Sequence, residues 1–239
     1  MTMATYIYAI TAADHPLRLD GLVGVGENPS ELRVVSSERH AAVVSDAPAE
    51  LRAKRRDLVA HQSVLERLMT EGAALPMRFG LVGPDDDQVR AALEQQQDTY
   101  AQRLEELDGR LEYNLKVARD EDSLLREILT ESDEARRLRD HTRSNPEAHG
   151  EKVALGELVS REIEARSDAA AERIAGQLAP AAERSSDAGP TKAHLLNMSY
   201  LVARDDAAAF SQAVHEAAEK YGDDYTFTLN GPLPPYSFV

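Results

Sequence analysis

From Leu111 to Val117 the chain alternates without a break: Leu111, Tyr113, Leu115 and Val117 fall on one face, and Glu112, Asn114 and Lys116 on the other. A period of two predicts a half-buried strand. Tyr225-Thr226-Phe227-Thr228-Leu229 repeats the pattern, and the apolar stretches Thr5 to Ile10 and Asn197 to Ala203 predict two further strands. Leu32 to Val35 and Ala41 to Ser45 predict a hairpin around Ser37-Glu38-Arg39, and Met77 to Leu81 predicts a short strand after Pro76.

Elsewhere the apolar spacing lengthens to three or four residues, the helical period. Leu58, His61, Leu65 and Leu68/Met69 predict one helix, ended by Pro76. Val89, Leu93, Gln96, Tyr100 and Leu104 predict a second from about Asp87 to Leu107. Leu155, Val159, Ile163, Ala170, Ile174 and Leu178 predict a long alanine-rich third. Asp205 or Asp206 offers an N-cap for a last helix buried through Phe210, Val214, Ala217 and Tyr221. Three stretches read as irregular: Thr11 to Ser30, with Gly21, Gly24, Gly26 and Pro29; Pro180 to Pro190; and the charged stretch from Arg119 to Gly150. In the last, an acidic piece (120–134) precedes a basic one (136–143), predicting a short helix and then a mobile charged insertion near 131–150.

These elements predict an α+β protein of two domains. An N-terminal α+β domain with a small sheet occupies 1–109. A C-terminal domain occupies 110–239, where strand, helices, strand, helix, strand suits a ferredoxin-like sandwich with long helices and a Pro-rich tail.

Composition narrows the functional classes. There are 27 basic against 42 acidic residues, a formal charge of −15. Nucleic acid and anionic lipid both demand basic surface, so neither is expected as a partner. With no cysteine, disulfides, thiolate metal sites and a Cys nucleophile are excluded. The N-terminus lacks a secretory pattern, and no apolar run reaches the roughly 18 residues a membrane span needs, so a cytoplasmic protein is expected.

Chemistry is sparse. The seven histidines show no metal spacing, and His61 reads as a core histidine on an apolar helix face. Gly21-Leu22-Val23-Gly24-Val25-Gly26 lacks the Gly-Lys-Ser/Thr of a nucleotide loop and reads as a simple mobile loop. Asp85-Asp86-Asp87 and Asp120-Glu121-Asp122 both precede predicted helices, where the dipole favours negative charge. No catalytic, cofactor or metal residue is assigned. Arg78, between Met77 and Phe79, is expected to be part-buried and paired with a carboxylate, Glu112 being the candidate mate.

The tail Gly231-Pro232-Leu233-Pro234-Pro235-Tyr236-Ser237-Phe238-Val239 combines helix-breaking residues with apolar side chains. It is too apolar for a disordered end and is expected to pack on the body of the protein. With Leu75-Pro76-Met77-Arg78-Phe79-Gly80, it resembles the gas vesicle protein GvpL/GvpF family, whose members carry a Leu-Pro-Met-Arg-Phe-Gly element and end in Gly-Pro-x-Pro-Pro-Tyr-Ser-Phe. The resemblance extends to Tyr6-Ile7-Tyr8, His61, Leu111-Glu112-Tyr113 and Tyr200-Leu201-Val202, and departs from the family at Leu233, where Trp is frequent.

The resemblance implies a non-enzymatic accessory protein of gas vesicle assembly, and so of buoyancy. Its partners would be the small, very apolar major shell protein and other accessory proteins. Exposed sheet edges or the alanine-rich helices are the expected contact surface. The structural or partner-contact candidates are Arg78, Phe79, Glu112, Pro232, Pro234, Pro235, Tyr236 and Phe238. Two other classes stay open: a small-molecule-binding regulatory domain, and an enzyme built around Arg78, His61 and Glu112.

Overall fold

Strand β1 (Thr5–Ala12) organises the first half of the chain. Its side chains are buried on both faces, which its unbroken apolar character already required. A computed structural model describes residues 3–239 and divides them into two units, one made of residues 3–112 with 231–239 and the other of 113–230. The chain thus leaves the first unit at Glu112 and returns to it at Gly231. Both units are α+β, each with its own antiparallel sheet.

In the first unit, β2 (Arg33–Ser36) and β3 (His40–Asp46) form the expected hairpin, and β3 pairs antiparallel with β1 from Thr5↔Asp46 to Ala12↔His40. The other edge of β1 takes two short strands in succession, β4 (Ala74–Pro76) and β5 (Val82–Gly83). Met77 to Leu81, predicted as a strand, is instead the excursion between them. Gly80 at φ +93° and the Leu81 N–H to Arg78 carbonyl bond turn the chain out of the sheet. Helix α1 (Arg55–Glu71) buries Ala60, His61, Val64, Leu65 and Leu68 against Tyr6, Tyr8 and Val43.

The helix predicted from Asp87 to Leu107 is two helices, α2 (Asp86–Gln95) and α3 (Gln97–Leu107), meeting at Gln96 with φ −109° and ψ 19°. The hydrogen-bond ladder continues through the joint, from Gln96 to Ala92 and from Tyr100 to Gln96, so the break is a kink. The Asp85-Asp86-Asp87 run is structural. Asp85 caps the Gln88 N–H at 2.8 Å, while Asp86 takes both Nε and Nη2 of Arg33 at 2.9 Å.

The second unit orders its sheet β7-β8-β6-β9, from β6 (Arg110–Arg119), β7 (Arg184–Asp187), β8 (Leu196–Ala203) and β9 (Tyr225–Leu233). The first strand in sequence is spatially flanked by the third and the fourth, the ferredoxin-like β-α-β-β-α-β order. Its core gathers Tyr113, Leu115, Val117, Tyr200, Phe210, Ile174 and Leu178, with the Phe210 ring 5.4 Å from Tyr113 and 5.2 Å from Tyr200.

Three expectations fail here. The expected short helix is present as α4 (Glu121–Glu131), but the supposed mobile insertion near 131–150 is helical as well: α5 (Asp133–Ser144) folds with α4 as a hairpin on the 30-residue α6 (His149–Leu178). Leu124, Ile128, Ala135 and Leu158 form its own small core. Ser132 caps α5 through the Ala135 N–H at 3.2 Å. Arg166 of α6 binds Glu127 and Glu131 of α4 and Glu162 of its own helix, so part of the acidic piece is used to fasten α4 to α6. The stretch Pro180 to Pro190, expected as a loop, contains β7, which pairs antiparallel with β8 from Arg184↔Leu201 to Asp187↔Met198. Its side chains are mostly exposed, so no alternation betrayed it. The last helix, α7 (Ala207–Tyr221), starts after a short 3-10 turn at Arg204–Asp206, and Asp206 makes no side-chain cap.

Candidate functional site

The Leu75-Pro76-Met77-Arg78-Phe79-Gly80 motif is held from below by two buried rings. His61 lies on the inner face of α1, where its Nε2 meets the Met77 carbonyl at 3.0 Å and its Nδ1 meets the Tyr6 hydroxyl at 2.9 Å. A carbonyl only accepts, so Nε2 carries the proton and Nδ1 accepts from Tyr6. The Tyr6 oxygen in turn accepts the Gly80 N–H at 3.2 Å. Burial lowers the His61 pKa, the bond to Met77 opposing only in part, and burial raises the Tyr6 phenol well above its usual value. Both groups are therefore neutral near pH 7, and both ring nitrogens of His61 are occupied. A neutral histidine with each nitrogen committed to the backbone or a phenol acts as a clamp on the motif. Phe79 completes the cluster, its ring edge-on to His61 at 5.7 Å and to Tyr6 at 6.1 Å.

Arg78 is not where the sequence suggested. Its side chain is exposed, because the turn at Gly80 aims residue 78 outward while Met77 and Phe79 stay part-buried. Glu112 is buried but is engaged elsewhere: Oε2 accepts the Ser237 N–H at 2.8 Å and Oε1 accepts the Ser237 hydroxyl at 2.7 Å. The structure thus joins Glu112 to the tail and leaves Arg78 at the surface. Arg78, His61 and Glu112 do not assemble into one site.

The tail packs on the body, as its apolar content required. Pro234, Pro235 and Phe238 are buried, the half-buried Tyr236 packs against the α1–β1 core, and Pro232 is exposed. Arg103 of α3 donates to the Phe238 carbonyl at 3.0 Å. Burial, followed by the nearby Glu112 and Glu66 carboxylates, pushes the Tyr236 phenol up to about 12.

The glycine-rich loop is also more ordered than expected. The Val25 N–H donates to the Tyr8 hydroxyl at 2.8 Å, and the Gly26 N–H donates to Oδ1 of Asp57, on α1, at 3.0 Å. Burial alone would raise the Asp57 carboxyl, but the Gly26 N–H and Arg56 outweigh it and hold it below the usual carboxylate range. So fixed, the loop and the first two turns of α1 enclose an open groove of about 580 Å³. Val23 and Val59 line it at 58% and 55% exposure, with Leu22, Ala60 and the exposed Arg55 and Arg56. Its one sequence signal is the run Arg52, Lys54, Arg55, Arg56, four cations in five positions of a chain of charge −15. They sit at a helix N-terminus, where the dipole disfavours positive charge. Among the described residues no cluster of His, Asp and Glu suits a metal ion, and no helix is long and apolar enough to cross a membrane.

Comparison with known proteins agrees with this architecture. A family model described as gas vesicle synthesis protein GvpL/GvpF matches residues 4–239. Gas vesicle protein F of Streptomyces sp. (strain CB03234) is 40% identical over 238 residues, covering 99% of this chain and 100% of that protein. Gas vesicle protein L of the same strain is 28% identical over 264 residues, covering 98% and 92%. The crystal structure of GvpF from Anabaena sp. PCC7120 superposes with a TM-score of 0.84 at 23% identity, covering 99% of this chain and 98% of that one. GvpF from Microcystis aeruginosa gives 0.79 at 25% identity, covering 99% of each.

Proposed function

This chain belongs to the gas vesicle synthesis protein GvpL/GvpF family, and we propose that it serves vesicle assembly as a binding protein for the major shell subunit. The observation that carries this reading is the apolar groove of the first unit, in which Leu22, Val23, Val59 and Ala60 line one surface and Val23 and Val59 stand well exposed. Contiguous exposed apolar surface, unlike side chains exposed singly, marks sites of protein association. An apolar subunit on its way into a shell would cover that surface, while the net charge of −15 keeps the complex in solution. The role is that of a structural or chaperone-like component, acting in the cytoplasm at the growing vesicle, with other accessory proteins as further partners. The saturated hydrogen bonds of His61 and Glu112 support a structural duty for both and argue for binding over chemistry.

Co-expression of this chain with the major shell protein, followed by co-purification, tests the reading. A soluble complex of fixed stoichiometry is expected. Recovery of both proteins folded but separate would rule out direct binding and pass the role to another accessory protein as the immediate partner.

A further inference from the structure

The groove between the glycine-rich loop and α1 carries a more specific assignment, which rests on the reading just given. Its floor is apolar, through Leu22, Val23, Val59 and Ala60, and its rim is cationic, through Arg55 and Arg56. No carboxylate lines it, in a chain where acidic residues outnumber basic ones by 42 to 27. The helix dipole disfavours both Arg55 and Arg56 at this N-terminus. Only part of Arg56 is used internally, its Nε lying 3.2 Å from Asp57. An apolar trough with a positive rim is complementary to a segment that is apolar on one face and carries carboxylates beside that face.

The geometry points to a short amphipathic helix of the shell subunit, apolar face on Val23 and Val59 and flanking carboxylates on Arg55 and Arg56, as the occupant of this groove. The backbone selects a helix over an extended strand. The N–H groups of Leu22, Val25 and Gly26 already donate to the Leu19 carbonyl, the Tyr8 hydroxyl and Asp57, so the loop offers little ladder for a strand to pair with. A helix arrives with its own backbone satisfied and docks by side chains alone. The volume of about 580 Å³ is suited to a few anchoring side chains rather than to a whole domain. A second copy of this chain is disfavoured, because a symmetric contact would set one arginine pair against the other.

The test uses the full chain co-expressed with the shell protein, comparing the parent with Val59→Glu, Arg55→Glu and the double variant. Both positions are exposed and Glu suits the helix N-terminus, so thermal melting should be no lower than the parent's and exclude misfolding as the cause of any change. The proposal expects each single variant to weaken recovery of the complex by about tenfold, with larger loss in the double variant. It also expects Arg55→Lys to restore binding and added salt to weaken the parent complex. An undiminished complex with the folded double variant would overturn the groove assignment while leaving shell binding intact. Absence of a complex with the parent would overturn both.

Discussion

Both oxygens of the Glu112 carboxylate are spent on one residue, Ser237, whose backbone N–H and hydroxyl each donate to it. The two residues lie 125 positions apart, so this fork fastens the tail to the point where the chain leaves the first unit. Glu112→Gln keeps the shape but puts an amide NH₂ against one of the two donors. We expect a loss of roughly 2 kcal/mol, the scale of a hydrogen bond to a charged group. Urea unfolding should show a lower midpoint at unchanged slope. An unmoved midpoint would mean that Tyr236 and Phe238 hold the tail unaided.

His61 predicts a pH dependence of definite sign. Burial places its folded pKa below the ordinary value near 6.5. Above that value folded and unfolded states are both neutral, and the stability is complete. As pH falls through about 6.5 the unfolded chain takes up a proton that the folded clamp refuses, so stability drops by at most about 1.4 kcal/mol per pH unit until the folded pKa is reached. Unfolding free energies at pH 7.5 and 5.5 should therefore fall further in the parent than in His61→Gln. Equal losses in the two proteins would show that His61 does not titrate differently on unfolding.

Gly24 is required by close approach. A Cβ built there would lie 2.5 Å from the Ser30 carbonyl oxygen and 3.2 Å from the Tyr8 hydroxyl. Gly24→Ala should cost about 1–3 kcal/mol, because backbone and not a flexible side chain must yield. Gly156, inside α6, faces open space, and Gly156→Ala should raise stability by up to about 1 kcal/mol. Thermal melts of the pair should move in opposite directions.

Arg78→Ala should leave stability within about 0.5 kcal/mol of the parent, since the side chain is exposed. Calorimetry decides this directly; a large loss would indicate an ion pair formed in solution.

The fate of Arg78 shows where the sequence stops being legible. Apolar neighbours in sequence do not bury the residue between them: with Met77 and Phe79 part-buried, the turn at Gly80 leaves residue 78 facing outward. The strands were readable because a sheet with one covered face writes its alternation into the chain, as from Leu111 to Val117. Helix α5 was not, since Ala135 is its one fully buried residue and charge dominates the rest. The groove was hidden for a different reason. Val23 and Val59 are remote in sequence, and their segments meet only in the fold, through the Gly26 N–H bond to Asp57 and the packing of Leu22 and Val25 with Ala60 and Val64. Only the cations from Arg52 to Arg56, misplaced for a helix start, marked the place.

The first unit is discontinuous, and this has a consequence for synthesis. A ribosome makes residues 1–112, then the whole of 113–230, and only then the residues that supply Tyr236 and Phe238 to the first unit's interior. The segment made first is thus completed last. While the second unit emerges and folds, the nascent first unit waits with part of its interior unfilled. A nonsense mutation between Asn230 and Tyr236 would accordingly injure the unit begun before the second one and spare the unit translated just ahead of the stop.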